Sequence, residues 1–182
     1  MNKCMIDIEK IREEILLSDK KIWGITSLSK KVGKTFISEL LVEKISEIGK
    51  NVLYITIGEE DNSKLDKAIQ FVEKGEIIPE KYWCIKNVES TAAIIFDDKF
   101  EKLLSLYKKV YDYIIIDMPS FEESIFSKKL CKVCDENIVV VSKNNEDGFK
   151  SGEKIRHLQQ MGISIAGIVL NEYSNKKAIF RI

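Results

Sequence analysis

The sequence predicts an α/β fold in which a mostly parallel sheet is flanked by helices on both faces. Short runs rich in Val, Ile, Leu and Tyr alternate along the chain with longer stretches of helical periodicity. This alternation is typical of parallel strands joined by crossover helices. Hydrophobic residues make up 45% of the 182 residues, which is enough for one sizeable core. No Pro-rich or Ser-rich linker, repeat or low-complexity tract divides the chain, so we expect a single domain over residues 1–182.

The apolar runs and the periodic stretches predict the individual elements. Strands are predicted over residues 21–26, 51–57, 82–85, 113–117, 137–142 and 163–170, of which 82–85 has the weakest pattern. Helices are predicted over residues 6–18, 34–48, 62–74, 97–110, 123–133 and 146–161. The stretch 75–98 is the least periodic and is expected to be irregular. For residues 176–182 a frayed end is favoured over a short amphipathic membrane tag.

Composition and charge exclude several classes of protein. Lys plus Arg and Asp plus Glu each number 29, so no global field attracts nucleic acid, and we expect no nucleic-acid partner. Charged residues interrupt the N-terminus before a secretory signal could form, and no apolar run approaches the roughly 20 residues of a transmembrane helix. Four cysteines without zinc-finger spacing indicate reduced thiols, with Cys131 and Cys134 on a buried helix face. These features predict a cytoplasmic protein.

The segment from Trp23 to Thr35 carries the strongest functional signal. It combines a predicted strand, a loop that ends in Gly33-Lys34-Thr35, and the start of a long helix. Backbone N–H groups of such a loop, together with the helix N-terminus, direct partial positive charge at phosphate oxygens. In this arrangement Lys34 contacts the β- and γ-phosphates and Thr35 binds Mg²⁺. We therefore predict a nucleotide-binding P-loop with these contact residues: Val32, Gly33, Lys34, Thr35 and Phe36.

Leu28 departs from the full phosphate-loop pattern, Gly-x-x-x-x-Gly-Lys-Thr, which has glycine at this position. A branched residue there costs on the order of 1 kcal/mol if the position needs a positive φ. The alternative interpretation is a chance turn that contains Gly-Lys-Thr. Its place between a first buried strand and a long helix favours the phosphate loop.

Asp117 is the candidate metal ligand outside the loop. It ends an apolar strand two residues before Pro119. A carboxylate there is either a structural cap or a ligand of Mg²⁺, and its place at the end of the third major strand favours the ligand. Thr35 and Asp117 are thus the predicted metal ligands, and Lys34 and Asp117 the predicted catalytic residues. His157, the one histidine, is expected on the surface.

Several motifs also resemble those of a known family. The chain carries, in order, Thr26-Ser27 with Gly33-Lys34-Thr35, residues 49–55, residues 111–119 and residues 167–171. In order and spacing these motifs resemble the bacterial tyrosine kinases of capsule and exopolysaccharide synthesis, within the MinD/ParA-like P-loop NTPases. The resemblance implies a Rossmann-like P-loop fold, ATP and Mg²⁺ as cofactors, and a contact of Asn171 with the adenine base. It also implies a membrane-bound polysaccharide co-polymerase or modulator as partner, homo-oligomerisation, and membrane association through that partner.

The chain departs from these kinases at the end of the second strand, where Thr56 and Gly58 replace two aspartates. In the family those carboxylates help to hold Mg²⁺ and to activate the attacking group, so their replacement predicts reduced phosphoryl transfer. Residues 59–61, Glu-Glu-Asp, could substitute in part, although a solvated acidic turn is the favoured interpretation. Ser29 stands where MinD/ParA proteins have a signature lysine, and the tail lacks the tyrosine cluster of the kinases.

Three hypotheses about function follow from these motifs and departures. The leading one is an ATP-binding, tyrosine-kinase-like P-loop protein with weak ATPase or kinase activity. The first alternative is a catalytically degenerate, nucleotide-dependent regulator or scaffold. The second alternative is a MinD/ParA-type ATPase, which the serine at position 29 disfavours.

Overall fold

Seven strands form one sheet in the computed structural model, which describes residues 3–58, 82–86, 98–124, 126–142, 148–172 and 177–181. The strands are β1 (Ile22–Ser27), β2 (Val52–Gly58), β3 (Tyr82–Lys86), β4 (Tyr113–Asp117), β5 (Glu136–Ser142), β6 (Ile165–Glu172) and β7 (Lys177–Arg181). The helices are α1 (Lys3–Leu17), α2 (Lys34–Ser46), α3 (Asp98–Tyr107), α4 (Ser127–Val133) and α5 (Gly148–Gln160). The predicted helix at 62–74 and the acidic residues 59–61 lie outside the described residues.

The strands lie in the order β3-β2-β4-β1-β5-β6-β7, and every neighbouring pair except β6 and β7 is parallel. The carboxyl ends of β1, β2 and β4 therefore lie at the same edge of the sheet. The chain leaves β1 into α2 toward β2, and it leaves β4 through α4 toward β5 on the other side of β1. Such a change of direction opens a crevice beyond the carboxyl ends of the strands, where open α/β sheets bind their ligands.

Alternate residues of the strands face two separate cores. Trp23 of β1 and Ile115 of β4 pack in a buried cluster with α1 and α2, whereas Ile114 and Ile116 of β4 pack with α3, α4 and α5. Helices thus cover both faces of the sheet, and the predicted α/β class is confirmed. All residues of β4 are buried, which explains the apolar run over residues 113–116, since a parallel strand covered on both faces has no solvent side.

Helix α4 begins later than predicted, at Ser127 rather than at residue 123. A local turn takes the place of its expected first residues. The backbone N–H and the hydroxyl of Ser120 each donate to Oε2 of Glu123 at 2.8 Å, and the N–H of Glu123 donates back to the Ser120 hydroxyl at 3.2 Å. Serine hydroxyls and glutamate carboxylates compete in this way with regular helical hydrogen bonds.

The prediction of a frayed end over residues 176–182 was wrong for the part that the structure describes. Strand β7 pairs antiparallel with β6, from Glu172 opposite Lys177 to Ile168 opposite Arg181, and it also contacts α1. A short edge strand is stabilised by its ladder with the neighbouring strand, so its own sequence carries only a weak signal. None of the helices in the described segments is both long and apolar enough to cross a bilayer.

Candidate phosphate-binding site

The loop between β1 and α2 is anchored by two buried apolar side chains. Leu28 is 6% exposed and belongs to the core on the α3 side of the sheet, while Val32 is 3% exposed and belongs to the core on the α1 side. Positive φ values occur at Lys31 (57°) and Gly33 (87°) and not at Leu28. The missing glycine at position 28 therefore causes no strain, because the loop makes its left-handed turns at residues 31 and 33.

Gly33 is the N-cap residue of α2, and Lys34 begins the helix. The partial positive charge of the helix N-terminus thus lies at the carboxyl edge of the sheet, where an anion is favoured. The Lys34 side chain is 11% exposed, and its Nζ lies 3.6 Å from Oε2 of Glu123. Phe36, in the first turn of α2, is 54% exposed. The predicted contact residues 32–36 therefore lie together, while their contact with a nucleotide stays a prediction.

Thr35 and Asp117 meet beside this loop. The Thr35 hydroxyl donates a hydrogen bond of 2.6 Å to Oδ2 of Asp117. Asp117 is 7% exposed, and its Oδ1 is buried and has no hydrogen-bond partner among the residues that the structure describes. Burial raises the pKa of this carboxyl to about 6, against the opposing effects of the Thr35 hydrogen bond and the Lys34 charge. Desolvation thus disfavours the carboxylate form in the absence of a cation.

This pair fits a divalent cation. A buried carboxylate with one unpaired oxygen, next to a hydroxyl, offers the hard oxygen ligands that Mg²⁺ prefers, and Asp117 and Thr35 would hold the ion. Within the described segments no cluster of three His, Cys, Asp or Glu side chains could form a metal cage. Mg²⁺ is usually bound by one or two protein ligands together with phosphates and water, so Thr35 and Asp117 are enough protein ligands for it.

The neighbouring strand has no carboxylate at the corresponding position. Thr56 of β2 is the register partner of Asp117, and Thr56 is buried. An acidic side chain at position 56 would thus stand next to Asp117 at the carboxyl ends of the strands. The sheet register supports the interpretation that a second acidic group is missing from β2.

Glu123 is a site residue that the sequence analysis missed. Its carboxylate is held by Ser120 and faces Lys34, and an adjacent glutamate, Glu122, accepts a hydrogen bond of 3.4 Å from the Ser29 hydroxyl. Burial acts to raise the pKa of Glu123, but the Ser120 hydrogen bonds and the charges of Lys34 and Lys30 outweigh it and lower the pKa. The pattern Ser-x-x-Glu after β4 could have revealed the turn, since it matches a capping box.

Asn171, at the end of β6, contacts the phosphate loop directly. Its Nδ2 donates a hydrogen bond of 2.8 Å to the backbone oxygen of Val32, and the residue is 5% exposed. A side chain at Gly33 would collide with the Asn171 amide. The structure thus places Asn171 at the site, and its predicted contact with a base stays a prediction.

Two further predictions concern residues outside the site. His157 is exposed on α5, as expected. Cys131 and Cys134 are buried free thiols, and burial raises the pKa of Cys131 to about 12, which makes it unreactive at neutral pH. Both cysteines therefore act as packing residues of α4 and its C-cap.

The sheet order, the loop and the adjoining Thr35 and Asp117 define a P-loop fold of the MinD/ParA-like class. No family model matches the chain. In sequence the chain is 26% identical to the ATP-dependent dethiobiotin synthetase BioD of Methanocaldococcus jannaschii, over 81% of this chain and 78% of the relative. It is 25% identical to the tyrosine-protein kinase CpsD of Streptococcus agalactiae, over 93% of this chain and 83% of the kinase.

Solved structures agree with this class. The kinase domain of VpsO matches with a TM-score of 0.74 and 18% identity, covering 93% of this chain and 94% of that domain. MinD from Pyrococcus horikoshii, solved as a complex with Mg-ADP, matches with a TM-score of 0.62 and 20% identity, covering 84% of this chain and 70% of MinD. The predicted resemblance to bacterial tyrosine kinases with a MinD/ParA-like P-loop fold is thereby confirmed.

Proposed function

We propose that this protein binds ATP together with Mg²⁺ at the carboxyl edge of β1 and β4. The observation that carries the proposal is the Thr35–Asp117 pair, with its unpaired buried carboxylate oxygen, at the start of the helix that follows the Gly-Lys-Thr loop. The loop and the helix N-terminus bind the phosphates, and Lys34 neutralises their charge. Bound Mg²⁺ would shield charge on the phosphates. The ATP-dependent BioD and the Mg-ADP complex of MinD support the choice of ligand.

Thermal unfolding tests the proposal. At free ATP-Mg of a hundred times its dissociation constant, we expect a stabilisation of about 2.7 kcal/mol in the wild type. Lys34→Ala should abolish this shift because the phosphates lose their main cation. Lys44→Ala is the matched control: Lys44 also lies on α2, its side chain is also 11% exposed, and it also pairs with a glutamate, but away from the loop. A wild type that millimolar ATP-Mg does not stabilise would overturn the proposal.

We further propose that phosphoryl transfer is slow, so that the protein is a weak tyrosine-kinase-like ATPase or a nucleotide-dependent regulator. Thr56 in register with Asp117 favours this interpretation, because β2 itself carries no carboxylate beside the proposed metal. We expect phosphate release on the order of a hundredfold slower than in relatives with the acidic pair. Thr56→Asp should accelerate phosphate release. Thr56→Asn should not, because asparagine has the shape of aspartate but no charge. Wild-type turnover of about one per second or faster would contradict this proposal.

The partners remain proposals that rest on the similarity to CpsD kinases. We propose a cytoplasmic protein that associates with a membrane-bound polysaccharide modulator and with copies of itself. The remaining candidate, a MinD/ParA-type ATPase, is supported by the fold and disfavoured by Ser29, which occupies the position of the signature lysine.

A further inference from the structure

The side chain of Asn171 holds the phosphate loop near its C-terminal end, just before α2. Asn171 follows Val32 by 139 residues in sequence, yet its Nδ2 lies 2.8 Å from the Val32 oxygen in a buried environment. Val32 stands between the two loop residues with positive φ, Lys31 and Gly33. The hydrogen bond therefore holds the peptide group at which the chain passes from one left-handed turn to the next.

Asn171 is itself held on both sides. In the sheet register it lies opposite Ser142 of β5 and opposite Ala178 of β7. Because the Asn171 backbone is paired with a strand on each side, its position is well defined. Sites built on regular elements are more precise than sites built on loops. The amide also fills the space where a side chain at position 33 would project, so Gly33 is required by this contact as well as by its φ of 87°.

We propose that Asn171 is a positioning residue for phosphate binding, and that its contribution does not depend on the base of the nucleotide. This inference rests on the proposed nucleotide-binding function and concerns the same site. The loop has Leu28 and Val32 as apolar anchors, and Asn171 gives it a buried polar contact from the other end of the chain. Without the Asn171 donor the Val32 oxygen is buried and unsatisfied, and the loop reorganises to solvate it.

Two ligands distinguish positioning of the phosphate loop by Asn171 from recognition of adenine by Asn171. Binding of ATP-Mg and of magnesium tripolyphosphate, which has no base, is measured calorimetrically for the wild type and for Asn171→Ala. We expect the affinity for both ligands to fall by the same factor, about five- to tenfold, which is the effect of one buried hydrogen bond. A loss for ATP with unchanged tripolyphosphate binding would show that Asn171 recognises the base and would overturn the inference. Unchanged affinity for both ligands would overturn it as well.

Asn137→Ala is the matched control. Asn137 is a fully buried asparagine of the neighbouring β5, and its amide donates to the backbone oxygens of Cys131 and Ser164, away from the loop. This variant should lose stability but keep the wild-type affinity for both ligands. An equal loss of affinity in Asn137→Ala would show that general destabilisation is the cause and would overturn the inference.

A second measurement needs no ligand. Lys30 and Lys31 are exposed trypsin sites within the loop, and we expect cleavage there to accelerate about tenfold in Asn171→Ala but not in Asn137→Ala. The isosteric Asn171→Asp should behave like the alanine variant, because a carboxylate cannot donate to the Val32 oxygen; it serves if the alanine variant does not fold. If wild-type protein binds neither ligand, the proposed function fails, while the cleavage rates still decide the role of Asn171. Equal cleavage rates for the wild type and Asn171→Ala would overturn the inference that Asn171 positions the loop.

Discussion

Two aspartates at opposite ends of the parallel strands, Asp117 buried and Asp135 partly buried, show how differently one residue type can be used. Asp135 precedes β5 and accepts hydrogen bonds from the backbone N–H groups of Lys21 and Ile22 and, at 2.6 Å, from Nζ of Lys108. Partial burial acts to raise its pKa, but these hydrogen bonds outweigh it and lower the pKa. Asp117, at the other end of the strands, accepts one hydrogen bond from Thr35, leaves one oxygen unpaired, and has its pKa raised to about 6.

The difference separates a carboxylate with a structural role from one whose surroundings fit the proposed metal site. All the polar partners that Asp135 needs come from the folded chain, so it ties β1 to α3 and β5 whether or not a ligand is present. Asp117 is buried without enough partners, which disfavours its charged form and leaves a cation to supply the missing interaction. Strongly perturbed carboxyls in a crevice are a common mark of functional sites.

The largest effect is expected for Asp117→Asn, which should change how the free energy of unfolding depends on pH. A pKa raised from 3.8 to about 6 in the folded state corresponds to about 3 kcal/mol. The folded protein binds the proton of Asp117 more tightly than the unfolded chain, so wild-type stability falls as the pH rises through this window. We therefore expect Asp117→Asn to be more stable than the wild type at pH 8, by up to about 3 kcal/mol, and nearly equal to it below pH 4. Urea unfolding without nucleotide or Mg²⁺ measures the difference.

Asp135→Asn is the control for this prediction. Its effect on the free energy of unfolding at pH 8 should have the opposite sign. The folded pKa of Asp135 is lowered, so its stabilising contribution is present above the unfolded value of 3.8 and is lost as the pH falls. The asparagine variant should lose about 2 kcal/mol at pH 8, because charge-assisted hydrogen bonds are replaced by weaker ones. Two variants that shift stability in the same direction would show that the comparison between the aspartates is wrong.

A smaller effect is expected from Glu123, because under the proposed function its carboxylate competes with phosphate for Lys34. The 3.6 Å ion pair with Lys34 must open when a phosphate binds that lysine. Glu123→Gln keeps an oxygen for the Ser120 hydrogen bonds but removes the charge, so the affinity for ATP-Mg should rise about two- to fivefold, as expected for a partly exposed pair. Raised salt should diminish the gain.

Glu101→Gln is the matched control for the Glu123 variant. Glu101 of α3 pairs with Lys129 of α4 at 3.0 Å, and neither residue is paired with Lys34, so its replacement should leave ATP affinity unchanged. If Glu123→Gln instead weakens binding, the carboxylate assists the nucleotide rather than competing with it.

The candidate site was predictable only where its signals are local. Gly33, Lys34 and Thr35 are consecutive, and Asp117 ends an apolar run, so a short window of sequence reveals each of them. The turn around Glu123 also has a local pattern, but nothing in that pattern indicates that its carboxylate faces Lys34. Strand β7 escaped prediction because the hydrogen bonds that stabilise it belong to its pairing with β6.

By itself the sequence determined the α/β class, the course of the central strands and helices, and the place of the phosphate loop, because apolar periodicity and turn-forming residues act within single segments. Only the tertiary structure decided that Lys31 and Gly33, rather than residue 28, make the left-handed turns, since the neighbours of the loop select its conformation. The tertiary structure also decided which distant groups meet at the site: Val32 with Asn171, Lys34 with Glu123, and Thr35 with Asp117. These contacts depend on the order and register of the strands, which arise from packing the whole sheet between its helices.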